Sequence, residues 1–333
     1  MPIIVKTPLR VSLFGGGTDY PEYYRRHGGA VLGGTIDKYI YQVRLPMSPI
    51  ADTRYRLTYS MVEAVNRPEE IKHPVIREAL LDEGYTIPFN LAVISDIPGG
   101  SGLGSSSAFT VGFLNLIRHL KGVKPTKLDL ARAAVRVEAD LLKERVGVQD
   151  QYHAAFGGFS LYEFQDSGAS ISPIQFHTTM QDALNRSLVL VHTRRYRSAS
   201  NILEEQVKVT KSGKVDIDLA QIKSLAYEAQ GILQGEDTGT ALREIGRMLS
   251  EGWKIKRSLS SSISNPELDE IYDRGMALGA YGGKLAGAGG GGFFIFLVPP
   301  ESISKMKDGF GEDLVVKAQF QEEGSRLFMI GEN

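Results

Sequence analysis

Short runs of hydrophobic residues, separated by turn residues, dominate the first half of the chain. Residues 3–5 and 9–14 predict two strands interrupted by Pro8, because proline removes a backbone donor from a sheet. The glycines at 15–17 predict a turn after the second strand. Further strand-like runs lie at residues 30–32, 39–45, 54–59 and 89–94. Since these strands precede the first long helices, the pattern favours an α+β fold over a regular βαβ repeat.

Two helical patterns follow these strands. An apolar run at residues 109–120 predicts a buried helix, and Thr126, with Asp129 in the first turn, predicts the N-cap of another. In this second helix Glu138 lies in the apolar stripe and not on the polar face. A carboxylate on a packed face must be paired, protonated or bound to a metal.

Helical patterns dominate the second half of the chain. Its predicted elements are a strand at 188–192, helices through residue 258, a helix at 265–278, a glycine-rich stretch at 282–292 and a strand at 293–298. The composition changes near residues 175–186. We therefore predict one domain over residues 1–185 and a second over residues 186–333.

The composition excludes several classes of protein. A net charge of −1 over 333 residues gives no basic surface for nucleic acid or an anionic membrane. The absence of cysteine removes disulfides and cysteine zinc sites. No apolar run reaches transmembrane length, and the N-terminus lacks a signal-peptide pattern. We therefore expect a cytoplasmic enzyme that binds neither nucleic acid nor membranes.

Residues 98–108, Pro-Gly-Gly-Ser-Gly-Leu-Gly-Ser-Ser-Ser-Ala, place four glycines and four serines directly before the first apolar helix. Glycines let successive backbone N–H groups point to one place, and a helix N-terminus adds unpaired donors, so this segment suits an anion, phosphate above all. It has neither the lysine of a Walker loop nor the later acidic residue of a dinucleotide fingerprint. The alternative, a flexible linker, fits poorly with the apolar helix that follows.

Three separated motifs together resemble the GHMP kinases, the superfamily of galactokinase, homoserine kinase and mevalonate kinase. They are residues 8–20, the glycine-serine loop, and residues 284–292, Lys-Leu-Ala-Gly-Ala-Gly-Gly-Gly-Gly. The resemblance implies an N-terminal ribosomal-protein-S5-like β-α domain, a C-terminal ferredoxin-like α+β domain and an active site between them. Within the superfamily, residues 15–21, 23–29 and 35–39 are most similar to the D-glycero-α-D-manno-heptose 7-phosphate kinases.

The resemblance also implies how ATP and Mg²⁺ are bound. Ser106 and Glu138 match the family's magnesium ligands; the alternative for Glu138 is a core carboxylate paired with an arginine. The residues that match the cradle for the nucleotide phosphates are Gly100, Ser101, Gly102, Leu103, Gly104, Ser105, Ser106 and Ser107.

Asp150 matches the family's catalytic aspartate, which accepts or orients the proton of the acceptor hydroxyl, and Arg10 matches the basic residue that pairs with it. Taken alone, Asp150 would more often be a turn or cap residue. Asp19 matches the residue that holds sugar hydroxyls in galactokinase, and we assign the neighbouring Gly17 and Thr18 to the same substrate site. Residues 15–17 depart from galactokinase, which has an acidic residue and a histidine before its Thr-Asp pair, so the resemblance does not extend to galactose recognition.

A second phosphate on the substrate would need a basic group of its own. Our candidate is Arg197, supported by Arg194 and Arg195, with Arg25 and Arg26 as the competing pair. The alternative is a solvated basic turn beside the acidic residues 204–205.

The resemblance implies a kinase that phosphorylates the anomeric C1 hydroxyl of D-glycero-α-D-manno-heptose 7-phosphate to the 1,7-bisphosphate, in the biosynthesis of nucleotide-activated heptose. Two alternatives stay open: a kinase of a plain sugar such as mannose, galactose or fucose, and a catalytically inactive sugar-binding protein of the same fold. The expected partners are ATP and a small sugar phosphate, and the sequence leaves a homo-oligomer open.

Overall fold

Two β-sheets with helices packed against them form the protein, for which a computed structural model describes residues 1–195 and 199–331. The larger sheet has the order β12-β1-β2-β5-β3-β4, and β6 and β7 extend it from β2. The smaller sheet has the order β11-β8-β10-β9. The strands are β1 (Ile3–Phe14), β2 (Gly29–Pro46), β3 (Tyr55–Thr58), β4 (Val62–Val65), β5 (Phe89–Ser95), β6 (Phe159–Gln165), β7 (Gly168–Pro173), β8 (Leu188–His192), β9 (Gly282–Leu285), β10 (Phe293–Leu297), β11 (Val315–Lys317) and β12 (Arg326–Met329).

Most of the helices lie in the second half of the chain. The helices are α1 (Pro21–His27), α2 (Pro74–Asp82), α3 (Ser105–Leu120), α4 (Lys127–Val135), α5 (Gln149–Phe156), α6 (Thr178–Ser187), α7 (Ala199–Lys211), α8 (Asp216–Leu233), α9 (Thr238–Ser258), α10 (Pro266–Ala277) and α11 (Ile303–Phe310). Three short 3₁₀ turns lie at Pro68–Glu70, Pro300–Ser302 and Glu312–Leu314. The strand pairs of the described residues are antiparallel apart from β3 with β5, which is typical of an α+β fold and not of a βαβ repeat.

The first strand is longer than predicted. Pro8 does not divide it, because the pairing of β1 with β2 shifts register between Pro8 and Arg10. A proline is tolerated at such an irregularity, where the ladder does not need its missing N–H. The predicted strands at 30–32 and 39–45 are likewise two ends of one strand, β2, which pairs with β6 at one end and β5 at the other.

Helix α4 begins at the cap that the sequence predicts. The Thr126 hydroxyl accepts a hydrogen bond from the Asp129 backbone N–H at 3.1 Å, and the Asp129 carboxylate accepts one from the Thr126 N–H, so both residues form a capping box. Beyond α4 the chain widens into a π-helix, Arg136–Leu141, which the periodicity did not predict. This π-helix carries Glu138 on its buried side.

The chain crosses between the two sheets more than once. The predicted boundary between residues 185 and 186 falls inside α6, and β12 returns to the first sheet, where Met329 lies opposite Ile3. The two-domain division therefore stays a prediction.

Close packing of α9 on β9 requires glycine at the contact. A Cβ on Gly282 would overlap the carbonyl oxygen of Gly246. We expect Gly282→Ala to lower the free energy of unfolding by about 1–3 kcal/mol, because the backbone would have to move. Gly231→Ala is the control: it lies in α8 with open space around it, and we expect a small stabilisation from its better helix propensity. Denaturant unfolding of both variants checks this; equal stability of the two would contradict it.

Candidate active site

Residues from both sheets line a cavity of about 600 Å³. Predicted site residues that line it are Arg10, Gly17, Asp19, Gly100, Gly102, Gly104, Ser105, Ser106, Ser107, Glu138 and Asp150. Ser101, Leu103 and Thr18 are fully buried and do not line it, and Arg197 lies outside the described residues. Segments that are far apart in sequence thus converge on one cavity.

Arg10 and Asp150 form a two-pronged ion pair on the wall of this cavity. Nε of Arg10 donates to Oδ1 of Asp150 and Nη2 donates to Oδ2, both at 2.8 Å. The third nitrogen, Nη1, donates to the Gly102 carbonyl of the glycine-serine loop. Arg10 comes from β1 and Asp150 from the first turn of α5, so the pair joins both elements to the loop. Paired guanidinium and carboxylate groups of this geometry hold each other in a fixed orientation.

The glycine-serine loop presents unpaired backbone donors. Gly104 begins α3 in the left-handed region, with φ of 76°, and no side chain caps this helix N-terminus. The N–H groups of its first turn and the positive end of its dipole therefore suit phosphate. Leu103 is buried, and its carbonyl accepts from the Arg10 backbone N–H at 3.0 Å, so it anchors the loop instead of lining the cavity. Ser101 is buried as well, and its hydroxyl accepts a weak bond from the Leu103 N–H.

Glu138 has one satisfied and one unsatisfied carboxylate oxygen. Its Oε2 accepts from the Ser107 hydroxyl at 2.9 Å and from Nε2 of Gln151. Its Oε1 is buried and has no hydrogen-bond partner within 3.5 Å among the described residues; the Thr110 hydroxyl is near enough to act on the carboxylate but donates to the Ser106 carbonyl. Burial raises the pKa of this carboxyl to about 7. No arginine among the described residues pairs with Glu138, so the alternative of a core carboxylate paired with an arginine is not supported.

The orphaned oxygen makes the Glu138 environment fit a divalent cation. Mg²⁺ takes oxygen ligands and is commonly held by one or two carboxylates together with substrate phosphates. No cluster of three or more acidic, histidine or cysteine side chains occurs in residues 1–195 and 199–331, so the protein would supply few ligands. The Ser107 hydroxyl contacts Glu138, and Ser106, the predicted magnesium ligand, is exposed on the cavity wall, because successive helix residues point about 100° apart.

The turn after β1 holds Asp19 in place. Its carboxylate accepts from the Gly17 N–H at 3.0 Å and from the Gln149 N–H at 3.3 Å. A Cβ on Gly147 would overlap the carboxylate, so only glycine lets this segment approach. Burial, and then the nearby Asp150 charge, raise the pKa of Asp19. Thr18 was predicted to bind substrate, but its hydroxyl lies 2.8 Å from the Gly15 carbonyl and accepts from Ala30, which makes it part of the turn.

Two lysines of the cavity wall were not recognised from the sequence. Lys256 of α9 donates to the Gly287 carbonyl, and Lys284 of β9 donates to the carbonyls of Ser12 and Leu13, both at 3.1 Å. Burial lowers the pKa of Lys256 to about 8 and that of Lys284 well below its usual value. A signal existed for Lys256, since it continues the buried face formed by Ile245, Leu249 and Trp253.

The described arginines of our second-phosphate hypothesis lie away from the cavity. Arg194 pairs with Asp313 at 3.1 Å and Arg195 pairs with Glu267, on the outer surface. In the competing pair, Arg25 lies 3.4 Å from Asp166 and Arg26 lies 2.7 Å from Asp216. Each of these four arginines therefore pairs with a carboxylate outside the cavity.

The fold and the site define a small-molecule phosphotransferase, and comparisons with known proteins agree. The family model for the GHMP kinases N terminal domain matches residues 70–158, and that for the GHMP kinases C terminal matches residues 238–315. The chain is 31% identical to a D-glycero-alpha-D-manno-heptose 7-phosphate kinase of Campylobacter jejuni, over 98% of this chain and 99% of that protein. The chain belongs to the GHMP kinases. It is therefore a phosphotransferase with an alcohol group as acceptor, in a family that uses ATP as the phosphate donor.

More distant relatives show the same fold. A galactokinase of Pyrococcus furiosus is 26% identical over 95% of this chain and 94% of its own length. The crystal structure of a D-glycero-D-manno-heptose 1-phosphate kinase from Bacteriodes thetaiotaomicron superposes with a TM-score of 0.79 at 24% identity, covering 99% of this chain and 100% of that one. The structure of Lactococcus lactis galactokinase complexed with galactose superposes with a TM-score of 0.72 at 17% identity, covering 98% of this chain and 95% of that one. These similarities confirm the predicted GHMP kinase fold.

No helix among the described residues is both long enough and apolar enough to cross a lipid bilayer.

The raised pKa of Glu138 predicts a pH-dependent effect of Glu138→Gln on stability. Between pH 4.5, the ordinary glutamate value, and about 7, the unfolded chain has released this proton and the folded protein has not, so the free energy of unfolding falls as pH rises. Glutamine carries no such charge. Without metal, we expect Glu138→Gln to be more stable than the original protein by about 3 kcal/mol at pH 8 and nearly equal to it at pH 4.5.

Thermal unfolding at several pH values, with and without Mg²⁺, measures this effect. Mg²⁺ should stabilise the original protein at pH 8 and the variant much less. Glu228→Gln, on the exposed surface of α8, is the matched control and should change neither profile. A stability difference that does not vary with pH would contradict the prediction.

Proposed function

We propose that the protein transfers the γ-phosphoryl group of ATP to the anomeric C1 hydroxyl of D-glycero-α-D-manno-heptose 7-phosphate, in the biosynthesis of nucleotide-activated heptose. The substrate rests on the 31% identity with a heptose 7-phosphate kinase along nearly the full length of both chains. The chemistry rests on one observation, the Arg10–Asp150 ion pair that faces the cavity beside the phosphate-binding loop.

Asp150 is the group that accepts or orients the proton of the acceptor hydroxyl. Phosphoryl transfer mainly requires the attacking oxygen to lie in line with the phosphorus and the developing charge to be neutralised. Arg10 holds both oxygens of Asp150 and also the Gly102 carbonyl, so it fixes the distance between the aspartate and the loop that carries the nucleotide phosphates. The first-turn N–H groups of α3 then neutralise charge on the transferred group.

Glu138 and the adjacent serine hydroxyls, Ser106 among them, would hold Mg²⁺ at the nucleotide end of the cavity. The ion would shield the negative charge of the β- and γ-phosphates when bound. Ser107 and Gln151 keep Glu138 in position from the protein side.

Asp19 lies at the acceptor end, and a carboxylate there can accept hydrogen bonds from sugar hydroxyls. Gly16 and Gly17 of its turn are on the cavity wall and have no side chains of their own. This leaves room for a sugar that is bulkier than a hexose.

A panel of acceptors tests the proposed substrate. Heptose 7-phosphate, free heptose, mannose, galactose and fucose are each incubated with ATP and Mg²⁺, and the products are identified by phosphorus NMR. We expect efficient turnover of heptose 7-phosphate alone, with one new anomeric phosphate signal. Equal or better turnover of a free sugar would replace the proposal with a plain-sugar kinase, and no turnover of any sugar would favour an inactive binding protein.

Asp150→Asn tests the chemical role. A positioned carboxylate that takes or orients a proton contributes about 10²–10⁴-fold to the rate, so kcat should fall by about that factor. Nucleotide affinity should change little, because the loop and α3 remain intact. Asp140→Asn, an exposed position close in sequence, is the control and should retain full activity. A loss in Asp150→Asn smaller than about tenfold would remove Asp150 from this role.

A further inference from the structure

Lys256 and Lys284 are two buried cations that line the active-site cavity without a carboxylate partner. Each is 8% exposed. Their ammonium groups donate only to backbone carbonyls, Lys256 to Gly287 and Lys284 to Ser12 and Leu13, and neither forms an ion pair with another described residue. An isolated buried charge is costly unless something compensates it. A cavity wall that keeps two such charges is built for an anionic ligand.

The other cations on the cavity wall are either paired or exposed: Arg145 lies 3.5 Å from Glu204, and Lys143 is exposed to solvent. Asp150 pairs with Arg10, and the nucleotide phosphates have the glycine-serine loop and the N-terminus of α3. Arg194 and Arg195, the described members of the basic turn, pair with carboxylates on the outer surface. Among the described residues, Lys256 and Lys284 are therefore the buried cations on the cavity wall that have no carboxylate partner and are available for a second anion.

The two lysines lie near the turn that carries Asp19. Asp19 and Asp150 both act on the charge of Lys256, and its ammonium donates to Gly287, which packs against Gly102 of the glycine-serine loop, so Lys256 lies between the acceptor and nucleotide ends of the cavity. The carbonyls that hold Lys284 directly precede the turn that carries Asp19. A small neighbouring cavity of about 20 Å³ is lined by both lysines together with Gly15 and Gly16 of that turn.

We propose that Lys256 and Lys284 bind the distal phosphate of the acceptor sugar, an inference that rests on the proposed heptose 7-phosphate substrate. In the protonated form, which a bound phosphate dianion would favour, each lysine has three N–H donors. Lys256 uses one on Gly287 and Lys284 uses two on β1, so three donors remain for the oxygens of one phosphate group. With the C1 hydroxyl at Asp150 and ring hydroxyls at Asp19, the two lysines hold the far end of the sugar.

Lys256→Met removes one of the two charges and tests the proposal. Charge-assisted hydrogen bonds of this kind correspond to about tenfold or more in affinity. We therefore expect the preference for heptose 7-phosphate over free heptose, measured as the ratio of kcat/KM, to fall by about tenfold or more, with KM for ATP unchanged. Lys256→Arg keeps the charge and should retain most of the preference.

Lys254→Met is the matched control, because this lysine is on the same helix but exposed and outside the cavity. It should leave both substrates and ATP unaffected. Thermal unfolding without ligands checks that the variants fold: Lys256→Met should melt at the same temperature as the original protein or higher, since it loses an unpaired buried charge.

Calorimetry of heptose 7-phosphate binding without nucleotide gives a readout that a purely structural lysine would not move. Burial lowers the pKa of Lys256 to about 8, with Asp19 and Asp150 opposing and Arg10 adding to the shift, and Lys284 lies beside it. A bound phosphate dianion would raise that pKa again. At pH 8.5 binding should therefore take up protons, measured in buffers of different ionisation enthalpy, and this uptake should be reduced in Lys256→Met.

Failure of this inference and failure of the proposed substrate give different results. If the original protein prefers heptose 7-phosphate and Lys256→Met keeps that preference, the lysine site is wrong and the substrate stands. If Lys256→Met loses turnover equally with both sugars or binds ATP more weakly, the lysines act on the nucleotide phosphate, and the inference is overturned. If the original protein shows no preference for the phosphorylated sugar, the substrate proposal fails, and the lysine inference fails with it.

Discussion

The Arg10–Asp150 ion pair is the contact on which the geometry of the site depends. One guanidinium holds both oxygens of the aspartate and the carbonyl of Gly102, so three separate segments share a single planar group. A second bond, from the Arg10 backbone N–H to Leu103, fixes the loop to β1 next to the ion pair. The distance between the aspartate and the helix N-terminus is therefore set by β1, a buried strand of the larger sheet.

Glycines allow the segments to come this close. Gly102 of the loop faces Gly287 of the glycine-rich stretch, and a Cβ on Gly287 would lie 2.7 Å from the Cα of Gly102. In the same way, a Cβ on Gly147 would overlap the Asp19 carboxylate. Backbone-to-backbone contact between loops leaves N–H and C=O groups at the cavity wall, where they contribute dipoles without needing side chains. The glycine runs of the sequence thus serve the approach of two loops as well as the binding of phosphate.

The cavity is lined by ionisable groups that have no partner of opposite charge among the described residues. One oxygen of Glu138 is unsatisfied, and the ammonium groups of Lys256 and Lys284 contact only carbonyls. Burial raises the pKa of Glu138 and lowers the pKa of both lysines, which favours the neutral form of each group. Such an arrangement costs stability in the empty protein and is compensated when ligands of opposite charge bind, which links substrate and metal binding to folding stability.

The sequence by itself determined the family and the α+β class, and most of the site residues that it predicted line the cavity, because glycine-rich motifs and helix caps act locally. Thr126 and Asp129 cap α4 as predicted, and the position of Glu138 in an apolar stripe correctly predicted a buried carboxylate. Other features depend on residues that are distant in sequence. The placement of Thr18 in its turn, the contact of Ser107 with Glu138, and the outward ion pairs of Arg194 and Arg195 were decided by tertiary contacts. The two lysines are the clearest case. A lysine can be recognised as a buried charge without a partner only when the elements packed around it are known and contain no carboxylate within reach.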